Sequence, residues 1–80
     1  MEKETIMADL RGIFIETLGH ESFELNDDTS AKDVDGWDSV THMMLINEIE
    51  EKYDIKFSLV ELMGLENISD LIKIILEKKN

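Results

Sequence analysis

The sequence predicts an all-α fold: a four-helix bundle with three principal helices, a short third helix and a long loop between helices one and two. Three observations carry that reading. Apolar residues recur at spacings of three and four in separate stretches, the period of a helix. Capping residues stand just before those stretches and glycines just after them. The chain has 80 residues, no proline and four glycines, so it is read as a single domain, 1–80, in which few positions force a turn.

The first helix is predicted from about Lys3 to Leu18. Ile6, Leu10, Ile13, Phe14 and Leu18 form its apolar stripe, while Asp9, Arg11 and Glu16 fall off it. Gly19 follows, where a left-handed residue can close the helix. Residues 20–37 read as loop. Asn26-Asp27-Asp28-Thr29-Ser30 is turn chemistry, because these side chains bond their own backbone. Phe23, Leu25, Val34 and Trp37 punctuate the loop and are expected to anchor it in the core. The second helix is predicted from Asp38-Ser39 to about Tyr53. Ser58-Leu59-Val60-Glu61 fits a capping box for a short third helix that ends at Gly64. The fourth is predicted from about Ile68 to Lys78, with Asn67 as N-cap and Asp70 at the positive end of its dipole. Leu71, Ile72, Ile75 and Leu76 form its buried stripe.

The second helix has two apolar faces. Placed at about 100° per residue, Leu45, Ile46, Ile49 and Tyr53 fall on one side with His42. Val40, Met43, Met44 and Asn47 fall opposite, flanked by Glu48, Glu50 and Glu51. One face suffices to dock the helix on a core. Burying both is hard in so short a chain, so Val40, Met43 and Met44 are a candidate partner surface, with Glu48 and Glu51 to steer basic partners. The alternative is that the methionines tuck under the long loop.

Composition narrows the function. Eight Lys and Arg against 19 Asp and Glu give a formal charge of −11, which argues against nucleic acid and anionic membrane surfaces and favours basic partners. With 42% hydrophobic residues the chain is too apolar for a disordered acidic tail. The absence of cysteine excludes disulfides and cysteine-based metal sites or nucleophiles. The charged start, Met1-Glu2-Lys3-Glu4, has no apolar segment behind it, so neither a signal peptide nor a membrane span is expected. A cytoplasmic monomer is the expectation.

Asp35-Gly36-Trp37-Asp38-Ser39-Val40 invites several chemical readings. As a calcium loop, aligning Gly36 with the required glycine puts Ala31 and His42 where acidic ligands belong, so no metal is assigned. As a hydrolytic triad, Asp38, Ser39 and His42 lack a separate element to orient the base and a site for an oxyanion. As a helix cap, Asp38 or Ser39 would satisfy the first free amides.

The same residues also carry a resemblance. Gly36-Trp37-Asp38-Ser39-Val40, leading into a helix that ends Glu50-Glu51-Lys52-Tyr53-Asp54-Ile55, resembles the acyl carrier and peptidyl carrier proteins. The resemblance extends over nearly the whole chain, through Val60-Glu61-Leu62 and Ile68-Ser69-Asp70-Leu71. It implies that Ser39 carries covalent 4′-phosphopantetheine, derived from coenzyme A, whose thiol holds an acyl or aminoacyl group as a thioester. It implies no catalysis by the chain itself. It also implies three kinds of partner: a phosphopantetheinyl transferase, an acyl- or aminoacyl-loading enzyme, and downstream synthases or transferases of fatty acid, polyketide or nonribosomal peptide type. Residue physics agrees, since a helix N-terminus favours a phosphate. Asp38 matches the acid before the modified serine and is implied to help the transferase and its metal bind. Val40, Thr41 and Met44 depart from the fatty-acid type, which has leucine at the first and commonly acids at the other two. Trp37 is reminiscent of stand-alone carriers for polyketide, peptide or D-alanine chemistry. His42 is expected to be partly buried and bonded to a loop group; the alternative is that it lines a groove where such carriers shelter cargo. The contrasting reading is an acidic helical interaction module without a prosthetic group.

Overall fold

The structure, a computed structural model, describes residues 2–79. The chain forms α1 (Lys3–Leu18), a 3-10 turn (Ala31–Asp33), α2 (Ser39–Tyr53), α3 (Leu59–Met63) and α4 (Ile68–Lys79). The predicted boundaries hold to within a residue; the 3-10 turn inside the long loop is the element the sequence reading did not place. No helix is long and apolar enough, among the described residues, to cross a membrane.

α1 packs against both α2 and α4. Ile6, Leu10 and Phe14 of α1, Leu45, Ile46, Ile49 and Tyr53 of α2, and Ile68, Leu71, Ile72 and Ile75 of α4 are buried in one shared core. Each such side chain removed from water contributes about 1.5–3 kcal/mol. Ile55 and Phe57, between α2 and α3, are buried in the same core. Leu62 reaches it partway, and no residue of α3 is fully buried.

The caps explain why the helices stop where they do. Gly19 takes φ 78° and its N–H donates to the Ile15 carbonyl, a left-handed conformation that costs other residues about 1–2 kcal/mol. α2 closes on Asp54, also left-handed at φ 55°. The Glu50 carboxylate then accepts the Phe57 N–H at 2.9 Å, so it holds the following turn. Ser58 and Glu61 form the expected reciprocal box at the start of α3, and Glu61 also pairs with Lys78 of α4 at 3.0 Å. Asn67 Oδ1 accepts the Asp70 N–H at 3.0 Å while Asp70 accepts from Glu66 N–H at 2.9 Å.

The long loop is fixed at several points. Val34 and Trp37 are buried, and Phe23 and Leu25 pack partway against the core. Arg11 sits over the Phe23 ring at 5.2 Å and donates to the Phe23 carbonyl at 3.1 Å. The carbonyls of Thr29 and Asp27 accept the N–H groups of Ile68 and Ser69, so the loop satisfies the start of α4. Thr29 is only 5% exposed, and its hydroxyl accepts the Asn26 N–H.

Candidate functional site

The site is built where the loop turns into α2. Gly36 adopts φ 88°, in the left-handed region that suits glycine. His20 holds the approach to it: Nε2–H donates to the Asp35 carbonyl at 2.7 Å and Nδ1 accepts the Ser22 N–H. Trp37 then drops into the core, its indole edge-on to Phe14 with ring centroids 4.9 Å apart. It is an anchor, as the sequence suggested.

Asp38 is the N-cap of α2. One carboxylate oxygen, Oδ1, accepts the N–H groups of Val40 and Thr41, each at 3.0 Å. The Thr41 hydroxyl completes a capping box. It accepts the Asp38 N–H at 2.8 Å and donates to the Gly36 carbonyl at 2.6 Å. A threonine thus does the work commonly done by Glu or Gln at that position. The Thr41 N–H, with the Val40 N–H beside it, holds the Asp38 carboxyl below the usual carboxylate range despite some opposing desolvation.

Ser39 is the first residue of α2 and is exposed. Among the described residues its hydroxyl has no hydrogen-bond partner, and neither does its backbone N–H. A group on Ser39 does not meet a row of free amides, because Asp38 has already taken those of Val40 and Thr41. What remains for it is the Ser39 N–H and the positive end of the helix dipole.

His42 lies one turn further on and is partly buried, bonded to a loop group as expected. Its Nδ1 accepts the Trp37 indole N–H at 3.0 Å, with the two rings stacked 20° from parallel. The indole can only donate, so the neutral imidazole carries its proton on Nε2. Burial pushes the His42 pKa below its ordinary 6.5. An open cleft of about 510 Å³ is lined by Trp37, Asp38, Ser39, His42 and Met43 together with Leu65, Glu66, Asn67 and Leu71.

Val40, Met43 and Met44 are 69%, 53% and 49% exposed, so the loop does not cover them. Glu48 and Glu51 are exposed too, and they also line a shallow groove shared with Asp9, Gly12 and Glu16 of α1. The sequence reading missed a second apolar surface. Leu59, Val60 and Met63 of α3 are 72%, 80% and 78% exposed. Four apolar residues in a five-residue helix were the available signal, since so short a helix cannot turn all of them inward.

Residues 8–75 match the family described as the phosphopantetheine attachment site. The acyl carrier protein of Exiguobacterium sibiricum is 33% identical over 75 residues, covering 94% of this chain and 95% of that protein.

The chain belongs to the acyl carrier protein family.

A second Exiguobacterium acyl carrier protein is 31% identical over 90% of this chain and 91% of its own length. A non-reducing polyketide synthase of Emericella nidulans is 34% identical over 70 residues, which is 3% of that protein. The solution structure of the holo acyl carrier protein from Geobacter metallireducens superposes with a TM-score of 0.83 at 42% identity. That match covers 90% of this chain and 83% of the other. The chain is therefore a phosphopantetheine-bearing carrier of acyl groups, and its family works as a non-catalytic carrier serving synthases and transferases.

Proposed function

We propose that Ser39 is the attachment point and that residues 1–80 act as one carrier domain that presents acyl cargo to other proteins and catalyses nothing itself. The observation that carries the reading is the exposed, unbonded Ser39 hydroxyl beside an Asp38 already held in place by the helix it caps. The residues fit the group: esterifying that hydroxyl breaks no contact. When bound, the arm supplies a thiol that holds the cargo as a thioester. Ser39 forms the phosphodiester, and Asp38, with one oxygen spent on capping, offers the other to the transferase and its metal. Val40, Met43 and Met44 supply an apolar docking surface that methionine can adapt to several partners in turn. Glu48 and Glu51 steer basic enzymes toward it. The partners are a phosphopantetheinyl transferase, a loading enzyme for acyl or aminoacyl groups, and the synthases that follow. The carrier works as a cytoplasmic monomer.

The test is intact mass after incubation with coenzyme A and a broad-specificity transferase. The wild-type chain and Ser58→Ala gain the mass of one arm, and Ser39→Ala gains none. Ser58 is the control because it too stands at a helix start. A mass gain in Ser39→Ala would move the site. No gain in any chain would leave an interaction module without a prosthetic group.

A further inference from the structure

The start of α2 is closed differently from the other capped starts in this chain. At the 3-10 turn, α3 and α4 a carboxylate accepts the N–H of the residue three places before it. Asp33 accepts from Ser30 at 3.0 Å, Glu61 from Ser58 at 2.8 Å and Asp70 from Asn67 at 3.4 Å. A carboxylate suits that place, because it also meets the positive end of the helix dipole. At α2 the residue is Thr41, and its hydroxyl accepts the Asp38 N–H at 2.8 Å while donating to the Gly36 carbonyl at 2.6 Å. A carboxylate, which only accepts, could make the first bond but not the second. The second bond fixes a peptide. The Gly36 carbonyl and the Trp37 N–H belong to one planar unit, and the Trp37 N–H donates to the Val34 carbonyl at 3.2 Å. Thr41 therefore holds two successive peptides, one by the Gly36 carbonyl and the next by the Asp38 N–H, just after the left-handed Gly36. The nearest parallel is Thr29, whose hydroxyl accepts the Asn26 N–H at 3.0 Å and lies 3.2 Å from the Glu24 carbonyl, and there it pins a loop rather than a helix start.

We propose that Thr41 is a positioning residue for attachment of the arm: its hydroxyl, acceptor and donor at once, holds Asp38 and Ser39 in the arrangement that the transferase meets. The inference rests on Ser39 as the attachment point. In that reaction the Ser39 oxygen bonds to the phosphorus of coenzyme A that bears the pantetheine. The bond from that phosphorus to the bridging oxygen breaks, and adenosine bisphosphate leaves with the electron pair. The hydroxyl proton passes to a base of the transferase. The Ser39 oxygen and the second oxygen of Asp38 have to be presented together, and both hang from backbone that Thr41 ties down. Order set before the encounter is not lost during it, and a small misplacement of a reacting atom is costly in rate. Removing the hydroxyl leaves the helix capped, because the N–H groups of Val40 and Thr41 still hold Asp38 Oδ1. It frees the Gly36 carbonyl and the Asp38 N–H, so the turn that delivers Ser39 loosens while the fold stays.

The experiment compares the full chain with Thr41→Val, Thr41→Ser and Thr41→Asp, each checked for folding by circular dichroism. Transfer from coenzyme A by a broad-specificity transferase is followed by mass while the carrier concentration is varied, so that kcat and KM separate. Thr41→Val keeps the shape and loses both bonds; its kcat should fall about tenfold with KM little changed. Thr41→Ser keeps the hydroxyl and should keep the wild-type kcat. Thr41→Asp can still accept the Asp38 N–H but has no proton for the Gly36 carbonyl, so its kcat should fall with that of Thr41→Val. The Gly36 carbonyl ¹³C resonance should move in the Val and Asp variants and stay in place in the Ser variant. A wild-type kcat in Thr41→Val, or a change in its KM alone, overturns the inference. So does a wild-type kcat in Thr41→Asp, or a kcat in Thr41→Ser as low as that of Thr41→Val. Should Thr41→Val fail to fold, the Ser and Asp variants carry the same test. Absence of a mass gain on the wild-type chain overturns the attachment at Ser39 instead, and this role of Thr41 with it.

Discussion

His42 shows how one hydrogen bond sets the protonation state of a side chain. Its folded pKa lies below 6.5 because burial disfavours the charged ring. Protonating Nδ1 also removes the only acceptor of the Trp37 indole N–H. The sign of the linkage follows. A depressed folded pKa means the unfolded chain binds the proton more readily, so this contribution to stability is present above pH 6.5 and is lost as pH falls through the folded value. An NMR titration of the His42 ring should give a midpoint below 6.5, and Trp37→Phe, which removes the bond and admits water, should move it upward. Between neutral pH and the lower end of that window the wild-type melting temperature should fall more than that of His42→Gln. Equal changes would show that the ring titrates without coupling to the fold. His42 was legible in the sequence as a partly buried ring, but the tautomer was not, since it depends on which loop atom arrives at Nδ1.

At the scale of elements, α2 has one face for the fold and one for solvent, and substitutions on the two should differ sharply. Met44→Ala, on a half-exposed side chain, should change stability by no more than about 0.5 kcal/mol. Ile49→Ala, at 0% exposed, should cost about 2–5 kcal/mol. Chemical denaturation of both variants checks this, and the rate of cargo loading on Met44→Ala reads the docking surface: slower loading at unchanged stability is the expected outcome. The seam between α1 and α2 has a polar fastening as well. The Tyr53 hydroxyl donates to Asp9 Oδ2 at 2.8 Å, and burial together with the Asp9 charge pushes the phenol pKa well above its ordinary value. Tyr53→Phe should cost about 1.5 kcal/mol, the lower end for a bond to a charged acceptor because Asp9 is partly solvated. A loss near zero in urea denaturation would mean that water replaces the phenol on Asp9 without penalty. Sequence periodicity put Tyr53 on the core side and Asp9 off the stripe of α1. It could not pair them, because the pairing depends on how the two helices cross.

Over the whole molecule the dominant electrostatic fact is a net −11 on a body of 31 × 25 × 22 Å. Three ion pairs join described side chains, Lys3–Asp27, Lys52–Asp9 and Lys78–Glu61, against 19 acidic residues. Most carboxylates therefore have no cation within ion-pair distance among the described residues, on a body only a few Debye lengths across, the length being about 10 Å at 0.1 M salt. The folded chain holds these charges closer together than the unfolded chain does, so screening favours folding. Added salt or millimolar divalent cation should raise the melting temperature of the unmodified protein, measured by circular dichroism across a titration. A flat or falling curve would mean that the carboxylates are already compensated locally. The same field favours basic partners and makes their association faster at low salt.

The sequence by itself determined the helices, their caps and the likeness of Gly36-Trp37-Asp38-Ser39-Val40 to a carrier motif. These are local matters: periodicity, left-handed glycines and capping boxes act within a few residues, and the sequence spells them directly. It also determined that α2 has one face too many to bury, because the apolar count of so short a chain limits what can be covered. Only the tertiary structure decided the rest. The loop carbonyls of Asp27 and Thr29 cap α4 across some forty residues, and no spacing rule reaches that far. The cleft exists because the start of α2 and the turn before α4 are brought together by α1, which packs on both helices. His42 and Asn67 share that cleft for the same reason, and each is oriented by a bond from behind that forms only once the chain has folded.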